Sequence, residues 1–231
     1  MASFHGNPIP IVINGLILYY DVGNPRSYPG SGTTLTDLSV NKFNGTLTNG
    51  VAYDSSDGGS LVYDGVNDYV TANSELDPIA YGLFANINSS WTVSSWFSPD
   101  ITNTNLGIIA GKGTSLTNGT FLLYAEGSNL RARLRGGTIL DITTSLTASM
   151  HEAAITWDGT TAKAYYDGAY IADINIGSAA KNLISFTIGE INDISTSRYK
   201  GKVSQTKVYN RALSSTEVQQ NYDAIKHRYG I

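Results

Sequence analysis

The sequence predicts an all-β protein built as a sandwich of antiparallel strands, and three observations carry that prediction. Short stretches with alternating side-chain character recur along the chain, separated by Gly-, Asn- and Asp-rich turn signals. The composition agrees: 24 glycines and 15 tyrosines among 231 residues, with only 15% charged, suit many strands joined by tight turns and fit disorder poorly. Helical patterning is clear in one stretch alone, near the end. Sandwiches reach this length as a single unit, so one domain is expected, and a 41% hydrophobic share is enough to fill the space between two sheets.

Taken in order, residues 1–14 carry Pro8 and Pro10 among small and polar groups and read as an extended arm outside the sandwich. Leu16 to Val22 is the first strand, ended by Gly23-Asn24-Pro25, and residues 23–34 form a loop. Thr92, Ser94 and Trp96 alternate with Val93, Ser95 and Phe97, a period of two that puts the sets on opposite faces. Leu130, Ala132 and Leu134 alternate with Arg131, Arg133 and Arg135 in the same way. Gly136-Gly137 then turns the chain into Thr138 to Thr143, a hairpin. Asp158-Gly159 and Asp167-Gly168 bracket another strand, Thr161 to Tyr166.

The helix is expected over 215–228. Ser214 caps it, Glu217 closes a capping box, and Leu213 staples onto Val218. Val218, Tyr222 and Ile225 form one apolar stripe that should pack the helix on the sandwich. Lys226, His227 and Arg228 sit where the negative end of the helix dipole favours cations.

Charge and composition remove several function classes. A net charge of −4 and a pI near 5.3 give no broad attraction to nucleic-acid phosphates or to an anionic membrane surface. Without cysteine there is no disulfide scaffold and no thiolate metal site. No stretch approaches the roughly 20 apolar residues of a membrane span. The run Ile11-Val-Ile13 is too short for a signal-peptide core and lacks a basic segment before it, so no export signal is expected.

Five blocks stand in fixed order: Tyr63-Asp-Gly-Val-Asn-Asp-Tyr-Val70, Trp91-Thr-Val-Ser-Ser-Trp-Phe97, Trp157-Asp-Gly159, Tyr166-Asp-Gly168 and Tyr209-Asn-Arg-Ala-Leu-Ser214. Together they resemble the laminin-G-like, or concanavalin A-like, domains, and the similarity runs from about Gly15 to about Ala224. The resemblance implies an antiparallel two-sheet jelly-roll sandwich over 15–231, with the arm at 1–14 and a short C-terminal helix. It also implies a binder of glycans or proteins, catalysis being the family's minority trade. One departure is the family's paired His before the late Trp-Asp-Gly strand, reduced here to Met150-His151-Glu152.

The segment Gly15-Leu-Ile-Leu-Tyr-Tyr-Asp21, with Asn24-Pro25, Tyr28-Pro-Gly30, Asp37-Leu-Ser39 and Asn44-Gly-Thr-Leu-Thr-Asn-Gly50, is similar to stand-alone versions in tailed-phage genomes. Those are taken to be structural proteins of the head or tail. A fold used outside cells on a chain with no export signal fits a virion protein, made in the host cytoplasm and exposed after lysis. Its expected partners are other virion proteins of capsid or tail, and glycans, with neither nucleic acid nor membrane. A homo-oligomer would suit a capsid or a fibre, though no motif demands one. The alternatives are a secreted-type carbohydrate-binding module and, behind it, a glycoside hydrolase.

Catalysis is not expected. Glucanases of this fold use a Glu-x-Asp-x-x-Glu strand to aim paired carboxylates at a sugar. None of the five glutamates, Glu75, Glu126, Glu152, Glu190 and Glu217, begins that pattern, and Glu190-Ile-Asn-Asp193 has the wrong spacing. His5, His151 and His227 are scattered, which leaves no Ser/His/Asp arrangement.

Three other sets are candidates for binding. Asp64, Asn67 and Asp68, around Gly65, offer oxygens to a calcium ion, against the plainer reading that they accept hydrogen bonds from their own turn. Arg131, Arg133 and Arg135 form a comb that suits carboxylates or sulfates of an acidic glycan, against the plainer reading of a solvated face. Among the tyrosines, most of which lie in strands for packing reasons, Tyr81 and Tyr199 stand near loops and are the candidates to stack on a sugar.

Overall fold

A computed structural model describes residues 9–72, 89–113, 119–178, 185–191 and 197–231. Their strands are β1 (Leu16–Asp21), β2 (Thr34–Leu35), β3 (Gly45–Thr48), β4 (Ala52–Asp54), β5 (Ser60–Asp64), β6 (Tyr69–Ala72), β7 (Trp91–Pro99) and β8 (Gly107–Gly113). Then come β9 (Gly119–Glu126), β10 (Asn129–Leu134), β11 (Leu140–Thr143), β12 (His151–Trp157), β13 (Ala162–Tyr166), β14 (Ala169–Ile174), β15 (Thr187–Ile188) and β16 (Lys200–Tyr209). Helix α1 covers Ser215–Ile225.

The strands form two eight-stranded antiparallel sheets, the expected jelly-roll sandwich. The first runs β14-β13-β12-β7-β16-β5-β4, with β1 paired to β16 beyond the β5 contact, and the second runs β11-β10-β9-β8-β15-β6-β3-β2. Alternation decides which side chains meet between them. Val93, Phe97, Ile155 and Val208 from the first sheet join Leu47, Val70, Ile109, Phe121 and Leu130 from the second in one core. Trp91 and Phe121 touch across it, ring centroids 5.2 Å apart.

Both faces of β7 are buried, and the cause is the C-terminal segment. Thr92, Ser94 and Trp96 face away from the core, as the period of two requires, yet α1 covers them. Trp96 lies parallel to Tyr222 at 5.4 Å, while Leu213 and Val218 pack with Tyr165 and Tyr209. The capping box forms as expected: the Ser214 side chain accepts from the Glu217 amide, and the Glu217 carboxylate accepts from the Ser214 amide.

The α-helix stops at Ile225 instead of reaching 228, and Lys226–Tyr229 tighten into a 3-10 turn. That turn aims two side chains back at the sheet. Arg228 pairs with Asp21, and the Tyr229 hydroxyl meets Ser204 Oγ at 2.6 Å. Residues 9–14 lie outside both sheets and are tied to α1: Asn221 Oδ1 accepts from the Val12 amide at 2.8 Å, and the Tyr209 hydroxyl donates to the Val12 carbonyl at 3.0 Å.

Under α1 lies a buried ion pair, Lys207 Nζ 3.8 Å from Glu152 Oε1, both side chains only 1% exposed. Burial raises the Glu152 carboxyl to about 7 and lowers the Lys207 ammonium. Among the described residues no helix is long and apolar enough to cross a membrane.

Candidate functional site

Among the described residues, a groove rich in binding chemistry lies on the outer face of the first sheet, toward its β12-β13-β14 end. The turn from β12 into β13 is fixed by Asp158, whose Oδ1 accepts from the Thr160 amide, the Thr160 hydroxyl and the Thr161 amide at 2.7–2.8 Å. Those bonds, the Thr161 amide first, hold its carboxyl below the usual range. Along β13, Ala162 and Ala164 enter the core, so Lys163 and Tyr165 point outward. Asp167 (φ +47°) and Gly168 (φ +80°) then form a tight hairpin turn.

That turn sets the register of β14. Tyr170 pairs with Tyr165, and Asp173 with Lys163. The two tyrosine rings meet edge to face at 5.8 Å. The Tyr170 hydroxyl donates to Asp173 Oδ1 at 3.1 Å, and Lys163 Nζ stands 5.7 Å from the Tyr170 ring centroid. Burial raises both phenols, so each is a neutral hydroxyl near pH 7.

The opposite bank comes from far along the chain. Ala212 to Ser215, the approach to α1 and its first residue, run beside β13 because Thr92 Oγ1 bonds both the Arg211 carbonyl and the Leu213 amide. The half-open groove holds about 480 Å³, within the size of small-molecule sites. It combines a half-exposed aromatic ring, hydroxyl and ammonium donors, and the Asp158 carboxylate as acceptor. Such a surface suits a polyhydroxylated ligand with one apolar face.

The residues singled out from the sequence do not assemble here. Asp64 Oδ1 accepts from the Val66 and Asn67 amides, and Asp68 Oδ2 accepts from the Asp64 amide, so the turn holds one oxygen of each carboxylate, while Asp68 Oδ1 is buried without a hydrogen-bond partner. Asp68 is almost fully buried, and burial raises its carboxyl, unlike a cation-ready ligand. No group of three His, Cys, Asp or Glu among the described residues is placed to hold a metal.

The arginine comb is broken. Arg131 and Arg133 lie on the outer face of β10, but Arg135 falls past the strand's end at φ +47°, already in the turn. Arg131 is paired with Glu126 and with Asp141, and Arg133 donates to the Gly136 and Gly137 carbonyls. Tyr199 is buried in the core against Tyr63, centroids 5.8 Å apart, and presents no ring to a ligand. Tyr81 lies outside the described residues.

His151 does find partners: Nδ1 meets Asp167 Oδ2 at 2.9 Å and Nε2 meets Thr147 Oγ1 at 2.8 Å. This chain ties the loop before β12 to the Asp167-Gly168 turn. Tyr165 and Tyr170 belong to the strand tyrosines that packing alone explains in the sequence, and the signal that joins them is their symmetric placement about the Asp167-Gly168 turn.

A jelly roll with a side groove of this chemistry defines the class of lectin-like sandwiches. The chain belongs to the concanavalin A-like lectin/glucanases superfamily, whose laminin-G-type family model matches residues 64–219. Its fold is shared with a Trypanosoma rangeli sialidase solved with sialic acid (TM-score 0.71, 15% identity, 95% of this chain and 34% of that one). It is also shared with domain 4 of AbnA, a GH43 extracellular arabinanase from Geobacillus stearothermophilus, solved with arabinotriose (TM-score 0.65, 18% identity, 91% of this chain and 100% of that one). The binding domain of Paraclostridial Mosquitocidal Protein 1 gives 0.64 and 19%, over 90% of this chain and 52% of that one. The chain spans about a third of the sialidase's length. No curated protein matches it in sequence.

Proposed function

We propose that this protein is a non-enzymatic carbohydrate-binding module that holds a glycan in the β13–β14 groove. The observation that carries the reading is the half-exposed Tyr170 ring, braced by Tyr165 and Asp173 and bordered by Lys163, Asp158 and the Ser214-Ser215 bank. A sugar's apolar face packs on such a ring while its hydroxyls meet the rim. Domain 4 of the arabinanase, a whole domain of this fold solved with a trisaccharide, supports the reading.

A non-catalytic role is supported by the state of the four described glutamates, Glu75 lying outside the described residues. Glu152 and Glu190 are buried, Glu126 is paired with Arg131, and Glu217 is spent on the helix cap and Arg211. Display on a phage particle, as head decoration or as part of a tail or fibre, rests on the likeness of the blocks before Gly50 to stand-alone phage proteins. A many-copy display makes weak sites useful, because linked sites multiply avidity by about 10²–10⁴.

The binding reading is tested by glycan microarray with the native chain and with Tyr170→Ala. Binding lost in the variant supports the groove, and equal binding by both overturns it. Mass spectrometry of size-fractionated particles tests the display. Many copies per particle support it, and a chain found only free overturns it.

A further inference from the structure

The charges around the groove select among glycans. We infer that its ligand is an uncharged saccharide and that sugars bearing carboxylate or sulfate are turned away, an inference that rests on the carbohydrate-binding reading. Asp158 on the rim and Lys163 are the charged residues that line the groove, and a second carboxylate, Asp173, stands beside it as the acceptor of the Tyr170 hydroxyl. Lys163 lies across the strand pair from Asp173 and over the Tyr170 ring. Its single positive charge thus faces two carboxylates.

The helix end does not reverse this balance. The first turn of α1 would draw an anion through its free amides, but its own Glu217 occupies that end and Arg211 neutralises Glu217 through two hydrogen bonds of 2.5 and 2.9 Å. An arriving carboxylate thus meets two carboxylates, Asp158 on the rim and Asp173 beside it, and one ammonium.

Hydrogen bonding points the same way. The turn's donors to Asp158 reach Oδ1, which leaves the exposed Oδ2 open to a ligand donor. Carboxylate and sulfate groups only accept, so they cannot serve Oδ2 and they repel it. A sugar hydroxyl donates and accepts, so neighbouring hydroxyls can serve Asp158 and Lys163 together.

Affinity electrophoresis of the full chain through gels containing neutral arabinan, galactan or fully methyl-esterified polygalacturonate, and through gels containing unesterified polygalacturonate or heparin, tests this. The expected result is retardation by at least one neutral polymer, unchanged by added salt, weakened about tenfold or more in Tyr170→Ala, with none by the acidic polymers. Asp158→Asn, which keeps the Oδ1 acceptor of the turn, should gain measurable binding to unesterified polygalacturonate. Preference for the acidic polymers, lost in Lys163→Ala, would leave the carbohydrate reading standing and overturn the inference. Retardation by none of the polymers would overturn both.

Discussion

Arg228 reaches from the C-terminal turn to grip Asp21 of β1 with both terminal guanidinium nitrogens, Nη1 to Oδ1 at 2.5 Å and Nη2 to Oδ2 at 3.0 Å. Asp21 is only 4% exposed in its side chain, so the fork holds a charge that water hardly touches. Arg228→Ala leaves that carboxylate without its cation, with the Tyr19 hydroxyl still donating to Oδ2, and is expected to cost about 3 kcal/mol, the low end of what losing one partner of a buried pair costs. Arg228→Lys keeps the charge but not the fork and should recover part of the loss. Urea unfolding midpoints of the three proteins check the order.

Gly58 belongs to the same clasp. Its φ of +78° suits glycine, and a Cβ there would lie 2.3 Å from Arg228 Cγ. Gly58→Ala should therefore cost about 1–3 kcal/mol from backbone strain and displacement of Arg228 together. In an Arg228→Ala background the displacement part disappears. A double-mutant cycle is expected to show that coupling, and strictly additive losses would refute it.

The buried Glu152 gives the stability curve a definite sign. Its ordinary value of 4.5 is raised to about 7 by burial, so its contribution is full below about 4.5 and is lost as the pH rises toward 7, where the carboxylate must ionise without water. Glu152→Gln cannot ionise. The difference in unfolding free energy between Glu152→Gln and the native protein should move in the variant's favour between pH 4.5 and 7, as followed by urea titration at each pH.

Much of the fold was legible because its signals are local. The period of two in residues 92–97 and the Asp-Gly turns name strands and hairpins without knowledge of the rest, and Ser214 with Glu217 names a helix start. The groove was harder to see because its second bank, Ala212 to Ser215, reaches β13 only through tertiary bonds to Thr92. Tyr199 misled for the opposite reason. Its place beside a loop in sequence hides that Gly107 leaves room for it, the nearest Cβ position there lying 3.0 Å from the Tyr199 backbone.

Chelation provides a further check on the loop at 64–68. One oxygen of each of its carboxylates is held by the turn, and no group of three His, Cys, Asp or Glu among the described residues is placed there to hold a metal, so EDTA should leave the thermal midpoint unchanged within about 1 °C, where loss of a bound ion would lower it by mass action. A drop on chelation, reversed by calcium, would show that these oxygens do hold a cation.

Strand β16, drawn from residues 200–209, sits inside the first sheet and pairs with β7, β5 and β1, elements made long before it. Until residues 200–209 have been made, β7 therefore lacks one neighbour and β1 lacks the partner it has among the described strands, so a nascent chain halted before Lys200 carries open strand edges, the kind of surface that aggregates or meets a chaperone.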